Sequence, residues 1–196
     1  MSTGTAFPTL FAPVSVAGLK LRNRVVMPPM VTAMEVGSDQ YCAWYEARAY
    51  GGVGLIIVQA TAVDTLVRDE VCEGLERTVT AIHEHSVPVV LQLFQPGNAP
   101  NGQPVAPSEE AGARAATEDE LDRIPSAFAT AAGRAREVGF DGVEPHGAHG
   151  FFLNQMFSPV RNRRQDKYGK DAEGRMRLAV SIVEAIRSAC GAYPMF

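Results

Sequence analysis

Short apolar segments alternate with longer helical segments along most of this chain of 196 residues. Four of the short segments have the composition of β-strands, at residues 25–27, 55–60, 88–94 and 139–145. The second of them, LIIVQA, is almost entirely apolar, as is typical of a parallel strand that helices cover on both faces. A strand followed by a helix, repeated four times, predicts an α/β fold with a parallel sheet.

Several helix ends can be located from the sequence. Ser38 or Asp39 can cap a helix that continues to about residue 50. Thr117 and Glu120 have the spacing of a capping box, in which each side chain accepts a hydrogen bond from the backbone of the other. Pro125 follows within the same helical segment, and we expect it to break the helix or to restart it one turn later.

The last predicted helix begins at Asp171, and a fifth β-rich segment starts behind it at residues 193–196. Apolar residues recur along this helix at intervals of three and four. We expect the following of them to face inward: Met176, Ala179, Val180, Val183, Ile186 and Cys190.

Two folds have this repeat of strand and helix. A doubly wound sheet usually carries a glycine-rich phosphate loop after its first strand, whereas this chain has Pro28-Pro29 there. The alternative is the (β/α)8 TIM barrel, whose chemistry takes place at the carboxyl ends of the strands. Polar residues lie at those ends in this chain: Gln59, Gln92, His146 and His149. The sequence therefore predicts a TIM barrel, of which residues 1–196 supply four βα units, the amino-terminal half.

Composition excludes several classes of function. The net charge of −4 argues against a nucleic-acid surface, which normally shows a basic excess. No apolar run approaches the ~18 residues that a membrane helix needs. The three cysteines lack the paired spacing of a zinc site or a disulfide framework, so a reducing cytoplasm is the expected location.

The densest group of polar residues follows the fourth strand, in the run Glu144-Pro-His-Gly-Ala-His-Gly150. His146 and His149 can face one pocket and donate hydrogen bonds to an anionic or carbonyl oxygen. They can also be interpreted as metal ligands, which would make the chain a metal-dependent hydrolase. A catalytic zinc site commonly has three protein ligands, however, and no third one is well placed, so we predict no metal site.

Several motifs together resemble the old yellow enzyme family of FMN-dependent ene-reductases and NADH:flavin oxidoreductases. They occur in order from about Leu10 to Phe196: LKLRNRVVMPPM, YGGVGLIIVQATAV, VVLQLF and AREVGFDGVEPHGAHGFFLNQMFSPVRNRRQDKYGK. The last is the most specific, because it combines an HxxHG turn, an NQ-F-SP step and an NxRxDxYG run.

The resemblance implies an FMN cofactor, with NAD(P)H as the reductant. The residues that match the family's contacts to the flavin ring are Pro28, Pro29, Met30, Val31, Ala60 and Gln92. His146 and His149 match the pair that binds the activating oxygen of the substrate above the ring. The ring-binding arginine of the fifth strand and the phosphate site of the family would lie beyond Phe196.

The chain also departs from the family pattern. Phe151 occupies the position of the tyrosine that usually donates a proton to the substrate carbon, and a phenyl ring has no exchangeable proton. Pro145 replaces an aliphatic residue of the fourth strand, which removes a backbone donor from the sheet. The third strand continues as Gln-Leu-Phe-Gln-Pro-Gly-Asn, where the family usually has Gln-Leu-x-His-x-Gly-Arg.

These observations favour an FMN-dependent oxidoreductase that transfers hydride from NAD(P)H, through the flavin, to an activated alkene, a quinone or a similar small acceptor. A truncated, catalytically inactive product is one alternative, and the metal-dependent TIM-barrel hydrolase is another. The sequence leaves the physiological acceptor, the choice between NADH and NADPH, and homo-oligomer formation open.

Overall fold

The computed structural model of the protein describes residues 6–99 and 101–196. In chain order, the strands of these residues are β1 (Val14–Val16), β2 (Leu19–Leu21), β3 (Val26–Met27), β4 (Leu55–Ala62), β5 (Val89–Phe94), β6 (Val105–Ala106), β7 (Arg114–Ala115) and β8 (Gly142–Pro145). The main sheet consists of four parallel strands in the order β3-β4-β5-β8. β1 and β2 form an antiparallel hairpin before it, and β6 and β7 pair separately.

A helix follows each strand of the main sheet. The α-helices of the described residues are α1 (Asp39–Tyr50), α2 (Asp69–His83), α3 (Glu118–Val138), α4 (Phe152–Phe157) and α5 (Ala172–Cys190), with a 3-10 turn at Thr65–Val67. The four predicted βα units are therefore present and parallel. Within the described ranges, no helix is both long and apolar enough to cross a membrane.

The start of a fifth strand is also present, as the sequence predicts. Met195 forms a parallel bridge with Val143 of β8, and the amide of Phe196 donates to the carbonyl oxygen of Val143 at 3.1 Å. This segment extends the main sheet at the β8 edge.

The predicted break at Pro125 is wrong, because α3 runs without interruption from Glu118 to Val138. Leu121, Ile124 and Phe128 are all buried on one face of the helix, on both sides of the proline. Burial of such a side chain is worth roughly 1.5–3 kcal/mol, so the three together exceed the ~3 kcal/mol cost of an interior proline. The capping box of Thr117 and Glu120 is confirmed at the start of this helix.

The predicted inward face of α5 is only partly correct. Ile186 and Cys190 are buried, but Met176, Val180 and Val183 are each close to half exposed. The buried stripe instead repeats every four residues and consists of Leu178, Ile182, Ile186 and Cys190. Apolar residues cover more than one face of α5, and its packing against α3 decides which of these faces is buried.

The two faces of the main sheet carry separate apolar clusters. Ile56, Val58 and Leu91 pack against the helices, as part of the large core. Leu55, Ile57 and Val90 point to the opposite face, where Leu21 of the hairpin covers them. The amino ends of the strands are therefore apolar on both faces, which leaves the carboxyl ends as the place for polar groups.

The alternation of β4 is interrupted by a bulge. Val58 pairs with Leu91 and Thr61 pairs with Leu93, so Gln59 and Ala60 together oppose the single residue Gln92. The amide of Gln59 donates to the hydroxyl oxygen of Tyr45, a fully buried side chain of α1, at 3.0 Å. The helix thus supplies a hydrogen-bond acceptor for the backbone of the bulge.

We expect Tyr45→Phe to destabilise the protein, because it removes that acceptor and leaves a buried amide without a partner. The free energy of unfolding should fall by about 1–3 kcal/mol, as measured by chemical denaturation. Tyr50→Phe is the matched control, since Tyr50 is 81% exposed and should change stability by no more than about 0.5 kcal/mol. Equal stabilities of the two variants would contradict this role of Tyr45.

Candidate functional site

Three polar side chains form a row across the carboxyl ends of β4, β5 and β8. Gln92 of β5 lies directly opposite Glu144 of β8 in the parallel register, and Gln59 of β4 lies on the other side of Gln92. All three point away from the helices, because their neighbours Val58, Leu91 and Val143 belong to the helix-side core. We call Gln59, Gln92 and Glu144 the polar row.

Gln59 connects the polar row to the segment that follows β3. Its carbonyl oxygen Oε1 accepts hydrogen bonds from both the amide and the hydroxyl of Thr32, at 2.8 and 2.9 Å. These two bonds hold residues 28–31, which have no regular secondary structure, against the end of β4. Met30 and Val31 of this segment are 62% and 74% exposed. The chain therefore presents two apolar side chains at the rim of a polar site.

The sequence indicates Gln59 only as a polar residue at a strand end and assigns it no role. A glutamine inside the apolar run LIIVQA is the one sequence feature that indicates a specific role, because a buried side-chain amide requires a hydrogen-bond partner. Its partner Thr32 lies 27 residues away, and spacing alone cannot identify it.

Gln92 is 6% exposed, and its Nε2 donates to Oε1 of Glu144 at 2.5 Å. Ala60, at the bulge, is half-buried and lies opposite Gln92. Its methyl group is the smallest side chain that the bulge could carry without a glycine. The structure thus brings Ala60 and Gln92 together, as the resemblance implies.

The two histidines follow β8 and lie side by side. Their ring centroids are 5.1 Å apart, with His146 only 5% exposed and His149 exposed to solvent. The amide of His146 donates to the carbonyl oxygen of Leu93 at 2.8 Å, which fixes the start of the turn to β5. The predicted convergence of His146 and His149 on one site is therefore present.

Burial is the main cause, and the neighbouring His149 the second, of a pKa of His146 below its usual value. The ring is consequently neutral at pH 7 and offers one N–H donor. Because folding lowers this pKa, the contribution of His146 to stability is present above the unfolded value of about 6.5 and is lost as the pH falls below it.

Helix α4 holds the turn that carries His149. His149 itself adopts a φ of 56°, in the left-handed region that non-glycine residues rarely occupy. Oδ1 of Asn154 accepts from the amide of Gly150 at 3.1 Å, and Nδ2 of the same side chain donates to the carbonyl oxygen of Gly147 at 3.2 Å. Asn154 therefore spans the turn and stabilises its backbone. The NQ-F-SP step of the sequence contains this residue, but the sequence alone does not show which groups it binds.

Phe151 lies between the histidines and the third strand of the main sheet. Its ring centroid is 5.2 Å from His146 and 5.0 Å from Phe94 of β5. The position adjoins the histidine pair, but its side chain has no group that can donate a proton.

The described residues give the metal-dependent alternative no further ligand. They contain no cluster of three or more histidine, cysteine, aspartate or glutamate side chains that could hold a metal ion.

Sequence comparison relates the chain to flavin-dependent enzymes. Residues 9–194 match the profile of the NADH:flavin oxidoreductase / NADH oxidase family. An NADH oxidase of Thermoanaerobacter brockii is 38% identical, over 97% of this chain and 34% of the relative. An NADPH dehydrogenase of a Geobacillus species is 35% identical, over 91% of this chain and 59% of the relative. The chain thus spans between one third and three fifths of the length of these curated relatives.

Solved structures give the same relationship. Morphinone reductase matches with a TM-score of 0.84 and 30% identity, over 97% of this chain and 62% of that protein. Old Yellow Enzyme from a Pichia species matches with a TM-score of 0.88 and 27% identity, over 95% of this chain and 58% of that protein. The predicted TIM-barrel fold and the resemblance to old yellow enzymes are therefore confirmed. The chain belongs to the NADH:flavin oxidoreductase / NADH oxidase family.

Proposed function

We propose that residues 1–196 are the amino-terminal half of an FMN-binding TIM barrel that transfers hydride from NAD(P)H to a small acceptor. The family is one of FMN enzymes that use NAD(P)H as the reductant. The observation that carries the proposal is the polar row beside the histidine pair, at the carboxyl ends of parallel strands. Active sites of TIM-barrel enzymes lie at that end of the barrel.

The residues of this site suit the ring of a flavin. An isoalloxazine has a polar pyrimidine edge and an apolar remainder, and the site pairs the Gln92 amide with the exposed Met30 and Val31. Pro28 and Pro29 lack amide donors, so the hydrogen bonds that residues 28–31 offer to the ring come from Met30 and Val31 or from carbonyl oxygens. When bound, FMN would supply the hydride chemistry, and the protein would orient ring and acceptor.

His146 and His149 would bind the oxygen of the acceptor. A neutral His146 donates one hydrogen bond, and the neighbouring His149 can supply a second from the solvent side of the turn. Donors fixed in place before the reaction stabilise the negative charge that develops on such an oxygen as hydride reaches the substrate. The buried position and the backbone bond to Leu93 keep the donor of His146 fixed.

Phe151 limits the range of acceptors that the site can serve well. Reduction of an alkene requires a proton at carbon, and the phenyl ring between His146 and Phe94 cannot supply it. Quinones and oxygen accept electrons without that step. We therefore infer a preference for such acceptors over enones. A cytoplasmic location and self-association into a homo-oligomer stay predictions.

The function itself is tested by anaerobic titration with FMN of a purified complete barrel that contains residues 1–196, because the phosphate site of the family is expected beyond Phe196. We expect quenching of FMN fluorescence at one equivalent, followed by bleaching of the flavin absorbance on addition of NADPH or NADH. A protein that binds stoichiometric zinc and no flavin would favour the hydrolase. A protein that binds neither would favour the catalytically inactive alternative.

The histidine pair is tested with phenolate ligands, which give a long-wavelength charge-transfer band when they stack on bound flavin. Replacement of both histidines, His146→Ala with His149→Ala, should abolish the band because it removes both donors to the phenolate oxygen. His85→Ala is the control, since His85 follows α2 outside the site. An unchanged band in the double variant would contradict the assignment.

The role of Phe151 is tested by Phe151→Tyr, which restores a hydroxyl beside His146. Turnover of an enone should rise at least about tenfold, given that general-acid assistance is typically worth roughly 10²–10⁴-fold. Oxidation of NAD(P)H with a quinone should change little, because that reaction needs no proton from this position. Phe7→Tyr, at an exposed site, serves as the control. An unchanged enone rate would mean that water or another group already donates the proton.

A further inference from the structure

Glu144 is an acidic residue on the inner face of the sheet, and within the part of the chain that the structure describes it has no cationic partner. Among the described residues, every salt bridge of 4.0 Å or less is formed by other carboxylates. Its Oε1 instead accepts from Nε2 of Gln92 at 2.5 Å. A half-buried carboxylate that lacks a cation costs stability. A hydrogen bond to the neutral amide of Gln92 does not by itself explain why an acidic residue occupies this position.

The hydrogen bond to Glu144 determines which way the Gln92 amide faces. A primary amide has two N–H donors and one carbonyl oxygen, whereas an ionised carboxylate can only accept. The amide must therefore direct Nε2 toward Glu144, because the flipped orientation would place two oxygens against each other. Gln92 Oε1 accepts no hydrogen bond from the described residues, and one N–H of Nε2 remains available.

The remaining N–H and the free Oε1 of Gln92 form an adjacent donor and acceptor. The pyrimidine edge of a flavin has an N–H group flanked by carbonyl oxygens, which is complementary to that pair. We propose that Glu144 is a positioning residue, which fixes the Gln92 amide in the one orientation that can form both hydrogen bonds with this edge. This inference rests on the proposed function, since it requires FMN in the site.

The charge of Glu144 has a second consequence. Reduction adds negative charge to the flavin ring, and a carboxylate one amide group away from its pyrimidine edge opposes that charge. Glu144 should thus lower the reduction potential of the bound flavin. Glu144 should affect FMN affinity through its hydrogen bond to Gln92 and the reduction potential through its charge. Substitutions that remove the hydrogen bond or only the charge separate these two effects.

A double-mutant cycle with FMN affinity as the readout tests the positioning role. Glu144→Ala should weaken FMN binding about tenfold, the scale of one hydrogen bond that involves a charged group. In the Gln92→Ala background, the same substitution should change affinity no more than about twofold, because the amide that Glu144 orients is gone. A purely structural role would give the same loss in both backgrounds and would overturn the proposal.

Glu144→Gln provides the rescue and covers the case in which Glu144→Ala fails to fold. It keeps a hydrogen-bonding group at the same distance, and the second orientation that an amide there allows Gln92 costs at most about twofold, so FMN affinity should stay within about threefold of the wild type. The loss of charge should shift the reduction potential upward, whereas Glu173→Ala, at the exposed start of α5, should change neither quantity. An unchanged or lowered potential in Glu144→Gln would contradict the predicted effect of the charge, and a loss of FMN affinity as large as that of Glu144→Ala would contradict the positioning role.

The outcomes also distinguish this inference from the proposed function. FMN binding by the wild type with an additive cycle would overturn the role of Glu144 alone. Failure of the wild type to bind FMN would overturn both.

Discussion

The geometry of the site depends on the bulge at Gln59 and Ala60 of β4. A strand turns successive side chains to opposite faces, so one extra residue changes the direction of everything that follows it. Here the bulge lets Gln59 reach Thr32 while Ala60 comes to lie opposite Gln92. The hydroxyl of Tyr45 satisfies the displaced Gln59 amide from the helix side, which stabilises this conformation of the bulge.

The polar groups of the site are held by partners within the chain. Gln59 is bound by Thr32, Gln92 by Glu144, and the backbone of His146 by Leu93. Each of these bonds offsets the cost of taking a polar group out of water, and each also fixes an orientation. A flavin would therefore meet groups that are already oriented, which reduces the entropy lost on binding.

Local sequence signals predicted the elements of the fold well. The four strands of the main sheet, the Ser38 cap and the capping box at Thr117 are confirmed, because each depends on residues within one segment. The short strands β1, β2, β6 and β7 were not predicted. The predicted break at Pro125 is wrong, because the packing of Leu121 and Phe128 outweighs the local tendency of proline to end a helix. The bulge and the pair of Gln92 with Glu144 had no local signal, since register between strands and a contact across 52 residues exist only in the folded chain.

A crystal structure of the protein with FMN bound would test the central claim most directly, namely that the polar row receives the pyrimidine edge of the flavin. The account predicts Oε1 and Nε2 of Gln92 within about 3.2 Å of that edge, with Glu144 still hydrogen-bonded to Nε2. A ring that binds with this edge turned away from Gln92, or a Gln92 amide that leaves Glu144 to reach it, would contradict the account.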